Sequence, residues 1–297
     1  MAAHLLDGKA TAERMRAALQ REVEALRAQG VIPGLGVLLV GDNPASVSYV
    51  TAKQKACTEI GLYSEEHRLP ASAPQAALLD WVRRMNEDPR IDGILVQLPL
   101  QRHHDEEAII LAIAPEKDVD GFHPINVGRM MLGQESFWPC TPHGVLQLLA
   151  QNGISTDGAH VVVVGRSNIV GKPLAMLLMQ KHALGNATVT VCHTGTRNLG
   201  DYTRQADILI VAAGRPQTVT ADMVREGTVV VDVGVNRIPD PTRKAGFRLV
   251  GDVDFDGVRQ KAAWITPVPG GVGPMTITML LHNTIRAAQR RAARRHG

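Results

Sequence analysis

The sequence predicts an α/β protein of two α/β domains, the second a doubly wound parallel sheet of the Rossmann type. Two observations carry that prediction. Beyond residue 150, β-branched runs recur at HVVVV (160–164), ATVTV (187–191), DILIVAA (207–213) and TVVVDV (228–233), with helical stretches between them, including ones near 172–182 and 220–225. The first half runs helix, strand, helix, helix, strand, which also implies a parallel layer.

In that first half, residues 10–29 carry apolar positions at helical spacing, closed by Gly30 and Pro33-Gly34. A strand follows at Leu35–Val40. The loop GDNPAS leads into a helix bearing Tyr49 and Lys53, with Ser46 or Ser48 as its N-cap. A helix over Pro74–Met85 precedes IDGILVQLPL, a buried strand stopped by Pro99. The stretch Pro115–Thr141, rich in Gly, Pro and Asp, predicts a hinge or a cleft wall, and Gly144–Gln151 a short helix.

Composition excludes several classes. A chain of 297 residues is long enough for two cores. No run of eighteen apolar residues occurs, and MAAHLLDGKATAERM lacks the basic start and apolar block of an export signal, so a cytoplasmic protein without a membrane partner is expected. Cys57, Cys140 and Cys192 are odd in number and far apart, which predicts reduced, buried thiols. The net charge of +3 is owed to five arginines in the closing RAAQRRAARRHG, cations that suit the negative end of a helix. A nucleic-acid partner is not expected. Nor is a metal: His103-His104-Asp105-Glu106-Glu107 has no further ligand spacing, and Asp105 is placed to cap the helix EEAIILAIA.

VVVVGRSNIVGKPLAM follows a strand and opens a helix, as phosphate-binding loops do. It is not an ATPase loop. Five residues, not four, separate Gly165 from Gly171, and Pro173 stands where a magnesium-binding hydroxyl is needed. The three-glycine dinucleotide fingerprint is also unmet, so only the general geometry remains. NAD enzymes place a carboxylate about twenty residues further on, for the ribose 2′-hydroxyl. Here the strand ends in Cys192-His193-Thr194-Gly195-Thr196-Arg197, without an acid. Its hydroxyls and cations, with Arg166, suit the 2′-phosphate of NADP. Gly165, Arg166, Ser167, Gly171, Thr194 and Arg197 are therefore the cofactor candidates.

Tyr49 and Lys53 are one helical turn apart and share a face, whereas Lys55 lies off it. The chain has 24 Arg and only 8 Lys, so a lysine on a shared face stands out among cations that are mostly arginine. Lysine can lose its proton when desolvated; arginine cannot.

The segments YVTAKQKACTEIG, GILVQLPL, PEKDVDGFHPINVG, PCTPHG, VVVVGRSNIVGKP, DVGVN, GDVDF and TPVPGGVGPMTI, in this order and spacing, resemble the bifunctional methylenetetrahydrofolate dehydrogenase/methenyltetrahydrofolate cyclohydrolase family over nearly the whole chain. The resemblance implies two domains around a cleft: 1–139 a catalytic, folate-binding domain completed by a C-terminal helix 275–297, and 140–274 the NADP-binding domain. It implies NADP-linked oxidation of 5,10-methylenetetrahydrofolate to the methenyl form and its hydrolysis to 10-formyltetrahydrofolate, reactions of one-carbon metabolism that feed purine biosynthesis. It also implies a homodimer. Lys53 takes the family's catalytic position, and Gln97 is similar to the glutamine that orients it. Tyr49 is expected to pack on the folate, Asp120 to bind the pterin edge, and Gly271, Val272, Gly273 and Pro274 to lie beside the ligands, with Pro274 opening the last helix. Val235 of DVGVN joins the cofactor residues. The chain departs from the family pattern at Gln101, where proline is usual, and at Gly195. A dehydrogenase without hydrolysis and a non-catalytic NADP-binding regulator are the alternative readings.

Overall fold

The computed structural model describes residues 2–243 and 246–296, which fall into two compact units. One holds Glu13–Cys140 and the chain from Ile277; the other holds the chain up to Ala12 and Thr141–Thr276. The first dozen residues therefore leave the 1–139 domain expected from sequence. The reason is β-pairing: strand β1 (His4–Leu5) lies parallel to Trp264–Ile265 in the second unit's sheet.

In the first unit the chain runs through most of α1 (Gly8–Ala28), then β2 (Gly34–Val40), α2 (Pro44–Ile60), β3 (Tyr63–Leu69), α3 (Gln75–Glu87), β4 (Gly93–Val96), α4 (Glu106–Ala112) and α5 (Pro124–Met131). Its three-stranded parallel sheet has the order β3-β2-β4. β2 is buried along its whole length, and its alternation feeds two cores. Leu35, Val37 and Leu39 meet Val23 of α1, Val50 and Cys57 of α2, and Leu281 and Ile285 of the C-terminal helix. Leu38 and Val40 meet Leu78 and Val82 of α3 and Ile109 of α4. β3 went unseen in the sequence because YSEEHRL is an edge strand, half-buried and largely charged. The Pro115–Thr141 stretch holds α5, with the His123 ring accepting the Ile125 N–H at its start.

The second unit continues through α6 (Cys140–Gln151), β5 (His160–Val164), α7 (Gly171–Met179), β6 (Thr188–Cys192), α8 (Leu199–Thr203), β7 (Ile208–Val211), β8 (Val229–Asp232), β9 (Asn236–Pro239), β10 (Phe247–Val250), α9 (Phe255–Arg259), β11 (Trp264–Ile265) and α10 (Val272–His296). α10 passes into the first unit from Ile277. Six parallel strands take the order β1-β11-β8-β7-β5-β6. The order reverses between β5 and β7, and open parallel sheets take ligands at such a reversal, outside the carboxyl ends of the strands. The helix expected near 220–225 is only a 3-10 turn at Ala221–Met223, and β9–β10 is an antiparallel hairpin that the sequence did not announce. No described helix is long and apolar enough to cross a membrane.

Candidate active site

α2 carries the Tyr49–Lys53 pair. Asn43, not Ser46 or Ser48, caps it: the Asn43 side chain accepts the Ala45 and Ser46 N–H groups at 2.9 and 3.4 Å, ahead of Pro44 in the first turn. Both serines lie inside the helix. Lys53 is only 7% exposed, and its Nζ donates to Gln97 Oε1 at 3.0 Å. Gln97 is held at both ends. Its backbone N–H continues the sheet to Leu38 O at 2.9 Å, and its Nε2 donates to Leu98 O at 2.7 Å, which leaves the amide oxygen facing the lysine. The Tyr49 ring centroid is 6.0 Å from Lys53 Nζ, and Tyr49 remains 36% exposed.

Burial pushes the Lys53 ammonium below the usual lysine range, against the opposing pull of Asp120 and of the Cys140 and Cys57 thiols. Asp120 is pushed up by burial, with Lys53 as the largest opposing influence. Desolvation also raises the Tyr49 phenol, the Cys57 thiol to about 12, and the Cys140 thiol well above its usual value. All three therefore keep their protons at neutral pH. One buried lysine and one acid thus lie near groups that stay neutral.

The two aspartates of KDVDG separate clearly. Asp118 accepts the Phe122 N–H at 3.2 Å, the His123 N–H at 2.8 Å and Asn126 Nδ2 at 2.8 Å, so it ties its own loop together. Asp120 has Lys53 and Cys140 as its neighbours. Two contributors escaped sequence reading. The Cys140 thiol donates to Val119 O at 3.3 Å, and Asn283 of α10 donates to both Val119 O (2.8 Å) and Trp138 O (3.1 Å), pinning the peptide that leads into Asp120. Contacts so distant in sequence leave no local pattern. Lys55 is exposed, with Glu59 at 3.8 Å as its ion partner.

In the second unit, Gly165, Arg166, Ser167 and Thr194 line one cavity of about 210 Å³, together with His193, Ala212, Ala213 and Arg215. It lies at the β5/β7 reversal. Gly165 adopts φ +133°, and a Cβ there would stand 2.2 Å from Ala212 O; a Cβ on Gly171 would stand 2.2 Å from Gly165 O. Gly171 thus shapes the loop from behind instead of lining the cavity. Ser167 Oγ accepts the Val170 N–H at 3.1 Å at the opening of α7. Exposed Arg197 and Val235 lie outside this lining, and the sequence reading missed Arg215. A cradle of close-packed glycine backbone with arginines on its rim fits the phosphate-bearing part of a dinucleotide.

Gly271–Pro274 also fall in the second unit. α10 starts at Val272, two residues before the expected Pro274, which occupies the first turn, where a missing N–H costs nothing. The Lys9 N–H donates to Gly270 O at 3.0 Å and anchors this loop. Among the described residues no three His, Cys, Asp or Glu side chains gather as a metal site. The rings of His103 and His104 both approach the Ala73 carbonyl, and Asp105 accepts the Ala108 N–H at 3.1 Å as the cap of α4.

Residues 6–120 match the tetrahydrofolate dehydrogenase/cyclohydrolase catalytic domain, and residues 139–292 match the NAD(P)-binding domain of the same family. The chain is 60% identical to the bifunctional protein FolD of Syntrophus aciditrophicus over 97% of its length and 98% of that protein's. It is 57% identical to FolD of Moorella thermoacetica, over 98% of this chain and 100% of the relative. Among solved structures, the bifunctional FolD dehydrogenase/cyclohydrolase of Campylobacter jejuni superposes with a TM-score of 0.91 at 49% identity, covering 98% of this chain and 100% of that one. The Trypanosoma brucei FolD complexed with NADP and an inhibitor superposes at 0.93 with 41% identity, covering 98% and 99%. The chain belongs to the tetrahydrofolate dehydrogenase/cyclohydrolase family.

Proposed function

We propose that the protein oxidises 5,10-methylenetetrahydrofolate with NADP and hydrolyses the methenyl product to 10-formyltetrahydrofolate, with Lys53 as the group that moves protons in the second step. The observation that carries this reading is the desolvated Lys53 ammonium held by Gln97 beside Tyr49. Oxidation removes a hydride from a methylene carbon whose two nitrogen neighbours supply the electrons. It needs placement more than a proton carrier. NADP, when bound, accepts that hydride. Gly165, Arg166 and Ser167 would hold its phosphates at the cavity, with Thr194, Arg197 and Val235 contributing alongside.

Hydrolysis has a different requirement. Water attacking the methenyl carbon must lose a proton, and the ring nitrogen that departs must gain one. A lysine lowered toward neutrality can accept the first proton and return it to the second site. Gln97 fixes the direction of the lysine. Asp120 accepts the donors on the amino-pyrimidinone edge of the pterin, as a carboxylate accepts a guanidinium, and the Tyr49 face packs on the folate rings. Gly271, Val272, Gly273 and Pro274 supply backbone to the ligands. The protein acts as a cytoplasmic homodimer.

The test follows NADPH and methenyltetrahydrofolate together in purified protein given 5,10-methylenetetrahydrofolate. NADPH formation with little methenyl build-up is expected. Methenyl that disappears no faster than without enzyme would reduce the protein to a dehydrogenase. Absence of NADPH from folded protein would favour a dinucleotide-binding regulator instead.

A further inference from the structure

We propose that Asp252 is a positioning residue for the oxidation step, its buried carboxylate fixing the turn that forms one wall of the nucleotide cavity. This rests on reading that cavity as the NADP seat. The turn is Ala212–Gly214, which follows β7, and Ala212 and Ala213 line the cavity. Asp252 is fully buried, and its Oδ2 accepts the N–H groups of Ala213 and Gly214 at 2.7 and 2.8 Å. Its Oδ1 accepts Asn236 Nδ2 at 2.8 Å.

A second carboxylate fixes the first. Asp232, at the end of β8, accepts the N–H groups of Asp252 and Gly234 on Oδ1, both at 2.9 Å, and that of Val253 on Oδ2 at 2.9 Å. The glycines nearby have one purpose each. A Cβ on Gly234 would sit 2.2 Å from Asp252 Cγ, and one on Gly251 would sit 1.8 Å from Asp232 Oδ2. The glycine of DVGVN therefore makes room for the carboxylate of GDVDF, and the glycine of GDVDF for the carboxylate of DVGVN. The two segments form one device that laces the ends of β7, β8 and β10.

Such a device is costly. Burial, helped by the neighbouring Asp252 charge, pushes the Asp232 carboxyl up to about 6. Apolar packing would stabilise a core better than two carboxylates so close. What carboxylates supply instead is a backbone conformation: two N–H groups at the ligand wall are directed inward and kept there. Movement of this turn reaches the glycine loop at once, because Ala212 O occupies the space that a Cβ on Gly165 would need.

The full-length protein is compared with Asp252→Ala and Asp252→Asn in three measurements. These are the KM and kcat of oxidation against NADP, hydrolysis of methenyltetrahydrofolate supplied directly without NADP, and Tm. Asp252→Ala frees two N–H groups to turn into the cavity, and a rise in KM for NADP of at least about tenfold is expected. Hydrolysis, whose proposed proton-moving group Lys53 and its partner Gln97 lie in the other unit, is expected to stay within about twofold. Asp252→Asn keeps an amide oxygen for the two N–H groups and is expected to recover most of the affinity. If Asp252→Ala does not fold, Asp252→Ser, with one acceptor, is expected to raise KM between the two. An unchanged KM, parallel loss of both reactions, or equal damage from Asn and Ala overturns the proposal. A wild-type protein that binds no NADP in direct titration overturns the cavity assignment itself, and the role of Asp252 falls with it.

Discussion

The Lys53 ammonium has exchanged water for one amide oxygen at 3.0 Å, and burial lowers its pKa against the pull of Asp120. The rising limb of hydrolysis against pH should therefore lie below the range of an exposed lysine, about 10.4. Lys53→Arg keeps the charge and the donor to Gln97 but cannot give up its proton, and Lys53→Met removes both. Each should cut hydrolysis by about 10²- to 10⁴-fold in folded protein. Wild-type hydrolysis by either variant would remove Lys53 from the mechanism. Asp120 makes a separate claim. Asp120→Asn replaces an acceptor with a donor on one side, and equilibrium titration should show weaker folate affinity by about tenfold. Unchanged affinity would remove Asp120 from pterin binding.

Elements differ in how openly the sequence declares them, and α2 shows why. The face it gives to Tyr49 and Lys53 could be read from their spacing, but the sequence pointed to Ser46 or Ser48 as its cap, and only backbone geometry identifies Asn43. Asn43→Ala should cost about 1 kcal/mol and lower Tm by a few degrees, while Asn43→Asp stays near wild type. Rates at saturating substrate should not change, because Lys53 sits more than two turns beyond the cap; a collapse of hydrolysis would mean that the cap sets the lysine's position. The same contrast runs through the sheets. β2, β4, β5, β7 and β8 were legible because buried parallel strands need continuous apolar runs, and the edge strand β6 because its TVTVC is rich in β-branched residues. β3, the β9–β10 hairpin and the two-residue β1 were not, since edge and hairpin strands carry mixed polarity. Lys53, Gln97, Asp120 and the glycine loop came from local motifs and family resemblance. Cys140, Asn283 and Asp252 act through partners far away in sequence, Arg215 enters only through the cavity it lines, and no periodicity marks any of them.

Across the whole molecule, each unit holds one carboxyl raised by burial to about 6, Asp118 in the first and Asp232 in the second. The usual value for aspartate is about 3.9. Between these values the two folded carboxyls keep protons that the unfolded chain has released, so their contribution to stability falls as pH rises through this window and levels off above it. Several surface carboxylates push the other way. Asp80, Asp88, Asp207, Asp222 and Asp240 are held low by hydrogen bonds from neighbouring side chains or backbone, and their stabilisation disappears only as pH drops below the ordinary carboxylate range. Asp207 and Asp222 are exposed and the other three half-buried at the surface, where solvent screening keeps such contributions small. In the window from about pH 4 to 6 Asp118 and Asp232, with Asp120 acting in the same direction, are opposed by the buried His282 imidazole, which burial lowers to about 4, so only a comparison of variants isolates one carboxyl. Asp118→Asn removes one of these protons while keeping the side chain's shape. The thermal stability of the wild type should gain on that variant as pH is lowered from 7 to 4.5, by no more than about 1.4 kcal/mol per pH unit. A difference that stays constant or shrinks over that range would mean that Asp118 is already ionised throughout, with its three hydrogen bonds outweighing its burial.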